Sequence, residues 1–157
     1  MKIILLTFGK TVNKELALME RDYLLKTGKY IETELDALKE PSGHMRLSVN
    51  EQIRNEARYF DSRIKQGDFL VVLDEKGKIM TSLAFASFIG KNLALSHKRL
   101  VFVIGGPYGI SEELKNKAAA VVSLSAMTFT HEMSRVILLE QIYRAFNINN
   151  HTPYHHI

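Results

Sequence analysis

Short β-branched or leucine-rich runs alternate along this chain with longer segments whose apolar residues recur at helical spacing. Such alternation predicts an α/β fold with a mostly parallel sheet and helices on both faces. Strands are expected at Lys2–Phe8, Ile31–Leu35, Phe69–Asp74, Leu100–Ile104 and Ala119–Leu124. Asn13–Lys26 carries Leu16, Tyr23 and Leu24 on one helical stripe and stops at Gly28, which reads as a C-cap. Ser48 with Glu51 three residues on is a capping-box signal, opening a helix that runs to about Gln66. Thr81–Leu95 reads as the next helix with Leu83, Ala84, Phe88 and Leu95 inward, and Ser111 before Glu112 and Glu113 caps another. The last helix, about His131–Phe146, has Val136, Leu139, Ile142, Tyr143 and Phe146 on one stripe, with Ile137 and Leu138 on its other side. A terminal helix that is apolar nearly all round is either centrally buried or covered by a second subunit. Leu38–Arg46, containing Pro41-Ser42-Gly43-His44, reads as a mobile loop.

Composition narrows the class. With 157 residues, 46% of them hydrophobic, the chain can bury a core as a single domain over residues 1–157. The absence of cysteine excludes a disulfide framework, a thiolate zinc site, an iron–sulfur cluster and a cysteine nucleophile. No apolar run reaches the length of a membrane span, and Ile3–Leu6 is short and lacks a small-residue cleavage site, so a soluble cytoplasmic protein is expected. The net charge of +4 is too small to argue for a nucleic acid by itself, but it is unevenly placed. Residues 118–157 contain only Glu132, Arg135, Glu140 and Arg144, which cancel. Removing these from the totals of 21 and 17 leaves 19 basic and 15 acidic groups in the first 117 residues. The neutral last quarter also holds four of the six histidines, His131, His151, His155 and His156.

Ligands of open α/β sheets bind outside the carboxyl ends of the strands. Three such ends stand out: Leu73-Asp74-Glu75-Lys76-Gly77, Ile104-Gly105-Gly106-Pro107-Tyr108-Gly109, and Leu124-Ser125-Ala126-Met127-Thr128-Phe129. Backbone groups at these ends can hold a heterocycle, although each stretch also reads as an ordinary connection. The dinucleotide fingerprint, the P-loop and the serine-hydrolase elbow are all absent. His151, His155 and His156 do not form a helical metal pair, because Pro153 lies among them. From the residues alone the tail reads as frayed and solvated.

The runs Phe102–Ile110 and Leu124–His131, with Arg135-Val136, the stretch Leu139–Phe146 and Pro153-Tyr154-His155, resemble the ribosomal RNA large subunit methyltransferase H family of the SPOUT superfamily. The similarity extends over essentially the whole chain. It implies a SPOUT-type α/β knot, in which the C-terminal segment forms a trefoil knot that ordinary topology rules would not produce. It further implies a homodimer that uses S-adenosyl-L-methionine to methylate N3 of a pseudouridine in helix 69 of 23S rRNA in the ribosome, with no membrane and no metal. By position, the cofactor contacts fall on Leu73, Gly105 and Leu124, Ser125, Ala126, Met127, Thr128 and Phe129, with Gly106 and Gly109 shaping the turn. A bulky residue at Gly105 is expected to block the cofactor while the fold survives. Arg135 is expected to act on the substrate, and His131 either orders the cofactor loop or makes a structural hydrogen bond. Tyr154 and His155 are expected to reach over the active site for stacking or proton transfer. The family pattern ends on His and a charged residue, whereas here His156 and Ile157 follow His155. Phosphate contacts are expected among Lys10, Lys14, Lys76, Lys78, Lys98 and Arg99. A SPOUT enzyme for another RNA such as tRNA, or a non-catalytic ribosome assembly factor, are the alternative readings. So short a chain leaves no room for an appended RNA-binding domain, and a second subunit and the ribosome are expected to complete the binding surface.

Overall fold

The computed structural model describes residues 1–95 and 97–155; His156 and Ile157 lie outside the described residues. The elements in chain order are β1 (Lys2–Phe8), α1 (Lys14–Gly28), β2 (Thr33–Leu38), α2 (Val49–Arg63), β3 (Asp68–Ile79), α3 (Ser82–Ala94), β4 (Arg99–Ile104), α4 (Glu112–Lys117), β5 (Ala120–Ser123) and α5 (His131–Asn149). A 3-10 turn spans His44–Arg46 between β2 and α2.

Each α-helix opens on a side-chain cap that accepts one of the backbone N–H groups left free in a first turn. Asn13, Ser48, Thr81, Ser111 and Thr130 do this for α1 to α5 in order. At α2 the box is reciprocal, because Glu51 returns to the Ser48 backbone. The helix ends were less legible. Gly28 is itself the last helical residue of α1, and Lys29 caps it in right-handed geometry, so Gly28 is not a left-handed C-cap. α2 stops at Arg63, where Ile64 turns extended, rather than at Gln66.

The sheet is entirely parallel, in the order β2-β1-β4-β3-β5. β4 lies between two neighbours, and Leu100–Ile104 are buried on both faces, as the unbroken apolar run requires. Alternate strand residues feed two cores. Ile3, Leu5, Val71, Leu100 and Phe102 face α3 and α5, while Ile4, Leu6, Val72, Val101 and Val103 share a second core with Phe60 of α2 and Leu114 of α4.

Three expectations change. β2 begins at Thr33, because Tyr30 and Ile31 still donate to Thr27 in the turn after α1. β3 continues to Ile79: after a register shift between Leu73 and Lys78 it pairs again with β5. Gly77 sits at that shift, and a Cβ there would meet the Val122 carbonyl carbon at 2.5 Å. In α3 the buried side is Phe85, Ala86 and Ile89, and Leu83, Ala84 and Leu95 are exposed. That helix is so uniformly apolar that its phase is not written in the sequence.

α5 packs against both α1 and α3 and buries Val136, Leu138, Leu139, Ile142 and Phe146. Most of its apolar surface is therefore taken up by the chain's own core, while Met133 stays exposed. The loop before α2 is anchored too, since His44 is 3% exposed and packs at a tilt against Phe8 with ring centroids 4.8 Å apart.

Candidate active site at the carboxyl edge of the sheet

Because every strand runs in one direction, the loops after β4 and β5 emerge along one edge, beside the register shift of β3 between Leu73 and Lys78. They enclose a cleft of about 670 Å³, with Leu73, Ile104 and Leu124 as apolar wall and the Gly105–Gly109 turn and residues 125–130 around it. Of the residues expected to contact a cofactor, Leu73, Gly105, Gly106, Gly109, Leu124, Ser125, Met127, Thr128 and Phe129 line this cleft. Ala126 is exposed and lies off the wall.

The glycines serve the turn before they serve a ligand. Gly109 adopts φ +83°, a left-handed conformation that other residues resist, and its N–H closes back on the Gly106 carbonyl at 3.1 Å. A Cβ on Gly105 would lie 2.7 Å from both the Gly109 carbonyl oxygen and Ile110 Cγ1. A bulky side chain at Gly105 thus breaks the turn itself, so the expectation of an intact fold does not hold locally. At Gly106 the space of a Cβ is taken by the Glu56 carboxylate, with Oε1 at 2.6 Å.

The loop after β5 is held by its own hydroxyls. Ser123 Oγ donates to the Ser125 carbonyl at 2.8 Å, and Ser125 Oγ accepts the Met127 N–H at 2.9 Å. This leaves Met127 and Phe129 exposed at the mouth, 74% and 41% respectively. On the opposite wall Lys115 pairs with Asp74 at 2.7 Å, and both line the cleft. Lys115 was missed from sequence, although an acid at a strand end beside a short helix with one inward lysine is a readable signal.

α5 enters at the cleft and leaves it. His131, its first residue, lines the wall, and burial together with the nearby Arg135 cation holds its pKa below the ordinary histidine value. Glu132 turns outward and accepts the Val12 and Asn13 N–H groups at 2.8 and 3.2 Å, tying the helix to the loop after β1. Arg135 does not reach the cleft. It is 0% exposed, with Nη2 donating to the Phe8 carbonyl at 2.8 Å and Nη1 to Thr11 Oγ1 at 2.9 Å. Thr11 in turn donates to Glu20, a carboxylate that burial pushes above its usual range. Sequence spacing put His131 and Arg135 on one face, but the helix entry angle sends the first to the cleft and the second under β1.

The described part of the tail, up to His155, is neither frayed nor over the cleft of its own chain. Tyr154 packs edge-on against Tyr143 at 4.7 Å, its hydroxyl donates to Glu140 at 3.2 Å, and the Arg144 guanidinium lies 4.8 Å over its ring. Burial and the neighbouring Tyr23 hydroxyl raise its pKa, so the phenol stays protonated. His155 Nδ1 meets Arg144 Nη1 at 3.1 Å. Arg144 lies thirteen residues beyond His131; at a helical rise of about 1.5 Å per residue that is roughly 20 Å along α5. The four expected catalytic residues are therefore split between two places in one chain.

The basic candidates divide as well. Lys10 and Lys14 follow β1 on the cleft edge, and Lys76 lines the cleft itself. Lys98 and Arg99 sit at the opposite edge, at the start of β4, where Arg99 is committed to Asp68 and the Arg63 carbonyl. Among the described residues no group of three His, Cys, Asp or Glu could hold a metal ion, and no helix is long and apolar enough to cross a membrane.

A solved structure of a probable methylase family protein from Haemophilus influenzae Rd KW20 superposes on 95% of this chain with a TM-score of 0.61 at 13% identity, a likeness of fold. The chain spans 66% of that longer protein. Proteins named ribosomal RNA large subunit methyltransferase H from Bacteroides thetaiotaomicron and Christiangramia forsetii are each 42% identical to it, and that from Porphyromonas gingivalis 40%, over 99% of both chains. A family model described as "Predicted SPOUT methyltransferase" matches residues 1–155, and with relatives this similar over their full lengths, the chain belongs to the SPOUT methyltransferase family.

Proposed function

We propose that this protein methylates large-subunit ribosomal RNA at N3 of a pseudouridine in helix 69 of 23S rRNA, with S-adenosyl-L-methionine as donor. The observation that carries the reading is the convergence of the irregular middle of β3 and the ends of β4 and β5 on one cleft walled by apolar side chains and glycine backbone. Its volume of about 670 Å³ suits a nucleoside-sized ligand. Leu73, Gly105, Gly106, Gly109 and the loop 124–129 would hold the cofactor, which when bound supplies an electrophilic methyl group on a positively charged sulfur. The target nitrogen must shed its proton as it is alkylated. His131 offers a neutral imidazole on the cleft wall for that proton or for ordering the loop beside it. Arg135 acts from beneath, fixing the end of β1 and the start of α5.

Because one protomer keeps Tyr154 and His155 away from its own cleft, the active form is a homodimer in which the tail of one copy lies at the cleft of the other. Exposed Val12, Met127, Phe129 and Met133 supply apolar surface for that contact. The protonated phenol then serves as a hydrogen-bond donor and stacking surface for an unstacked base. We read residues 1–157 as one domain whose C-terminal segment is knotted through the loops of the cleft, working in the cytoplasm on assembled ribosomes without a metal. Mass mapping of rRNA from cells with and without the gene tests the proposal. One methyl group should vanish from a single pseudouridine, and an unchanged pattern would overturn it.

A further inference from the structure

A carboxylate outside the cleft grips the turn that lines it. Glu56, on the inner side of α2, is 3% exposed. Its Oε2 accepts the Gly106 N–H at 3.0 Å, and its Oε1 meets His44 Nε2 at 3.2 Å. His44 is as buried as Glu56 and leans on Phe8 at the end of β1. It also backs a second cavity, of about 500 Å³, beneath the loop after β2. Glu56 therefore ties two loops together.

Burying a carboxylate is costly, and a core built only for stability would hold an apolar residue here. Burial does push the Glu56 carboxyl above its ordinary range, with Glu40 adding to the push, while the Gly106 and His44 contacts pull it down. The glycine at 106 answers to the same group, since a Cβ there would fall 2.6 Å from Oε1. Among the described residues no peptide bond is cis. In a trans peptide the N–H and the preceding C=O point in opposite directions, so fixing the Gly106 N–H on Glu56 turns the Gly105 carbonyl away from Glu56.

We propose that Glu56 is a positioning residue of the cofactor cleft: by holding the Gly105–Gly106 peptide plane, it presents the Gly105 carbonyl as a preformed acceptor for the cofactor, with His44 as its brace. The inference rests on the reading of the cleft as an S-adenosylmethionine site. An aligned acceptor contributes to affinity because its orientation is settled before the ligand arrives. Glu56→Gln keeps the acceptor for Gly106, whereas Glu56→Leu fills the space without one.

The test is calorimetric titration of full-length dimeric protein with S-adenosylmethionine, together with steady-state kinetics on ribosomes. Glu56→Leu should lose at least tenfold in cofactor Kd and raise the cofactor KM in step, with the KM for ribosomes unchanged, and Glu56→Gln should recover most of the affinity. A folded Glu56→Leu that binds like wild type, or a Glu56→Gln as weak as Glu56→Leu, would overturn the proposal. Failure of the wild-type protein to bind would instead refute the cofactor reading. Should Glu56→Leu not fold, or should wild type not bind, hydrogen exchange decides: the Gly106 amide should be protected in wild type and Glu56→Gln, and free exchange in wild type would overturn the proposal.

Discussion

The two ends of α5 spend similar residues in opposite ways. At its start, Arg135 is sealed inside and divided between the Phe8 carbonyl and Thr11, so that Glu132 and His131 are set against loops they do not belong to. At its end, Arg144, Glu140, Tyr154 and His155 bind mainly one another on the partly exposed flank of α1 and α5. One arginine is part of the scaffold. The other belongs to a small polar cluster whose partly exposed ion pair contributes little to stability. The cleft end is thus fixed by buried bonds and the tail end by weaker ones.

The largest expected effect exploits that difference. Deleting Pro153–Ile157 should lower methylation by about a hundredfold or more, the scale of loss seen when a reacting group is misplaced. Cofactor affinity should stay within a few-fold of wild type, because no described tail residue lines the cleft. Wild-type turnover by the truncated protein would show that the tail has no part in the reaction. Arg135→Ala should act the other way round. It leaves the Phe8 carbonyl and the Thr11 hydroxyl without their donor and takes the nearby cation from the buried Glu20 carboxylate, which should cost about 3–5 kcal/mol of stability in urea unfolding. Arg144→Ala, removing a partly exposed pair, should cost about 1 kcal/mol or less in the same measurement. Similar values for the two would erase the distinction between the ends.

Much of the fold was readable because it is written in local chemistry. Ser48 with Glu51, Ser111 before Glu112, and the run Leu100–Ile104 each announce a cap or a buried strand by residue type alone. What failed to read was set by distant contacts. Gly77 looks like the end of a strand, yet it is the point at which β3 passes close to Val122 and resumes pairing. Glu56 and Gln52 are polar residues on the same inward row as Phe60, a pattern that could have marked a buried network; Gln52 bonds the nearby Leu47 carbonyl, but the Gly106 partner of Glu56 lies fifty residues along the chain. The cofactor-loop residues were legible as strand ends. The separation of Tyr154 from His131 was not, because helix length sets it and spacing between motifs does not reveal it.

A smaller effect tests whether the turn or the ligand claims Gly105. Gly105→Ala places a methyl 2.7 Å from the Gly109 carbonyl oxygen and from Ile110 Cγ1. Overpacking of this kind costs about 1–3 kcal/mol. The loss should appear in the apoprotein by thermal unfolding. Weakened cofactor binding with unchanged apoprotein stability would assign the glycine to the ligand instead.

The smallest effect concerns the pH response of the cleft end alone. The folded protein holds the His131 pKa below the ordinary value of 6.5, chiefly by burial and next by the Arg135 charge. A depressed imidazole means that the unfolded chain takes up the proton first as pH falls. This contribution to stability is therefore complete above 6.5 and is lost as the solution is acidified through that value. Melting temperatures of wild type and His131→Gln should run parallel on the alkaline side, and on the acid side wild type should fall more steeply. His155 has its ring nitrogen on Arg144 at the other end of the helix, so His155→Gln controls for the tail. If only His131→Gln removes the extra acid slope, the titrating group at the cleft is identified without any reliance on turnover. Equal slopes in wild type and His131→Gln would mean that this imidazole is not held neutral by the fold, and the proton-accepting role assigned to it would fail with that result.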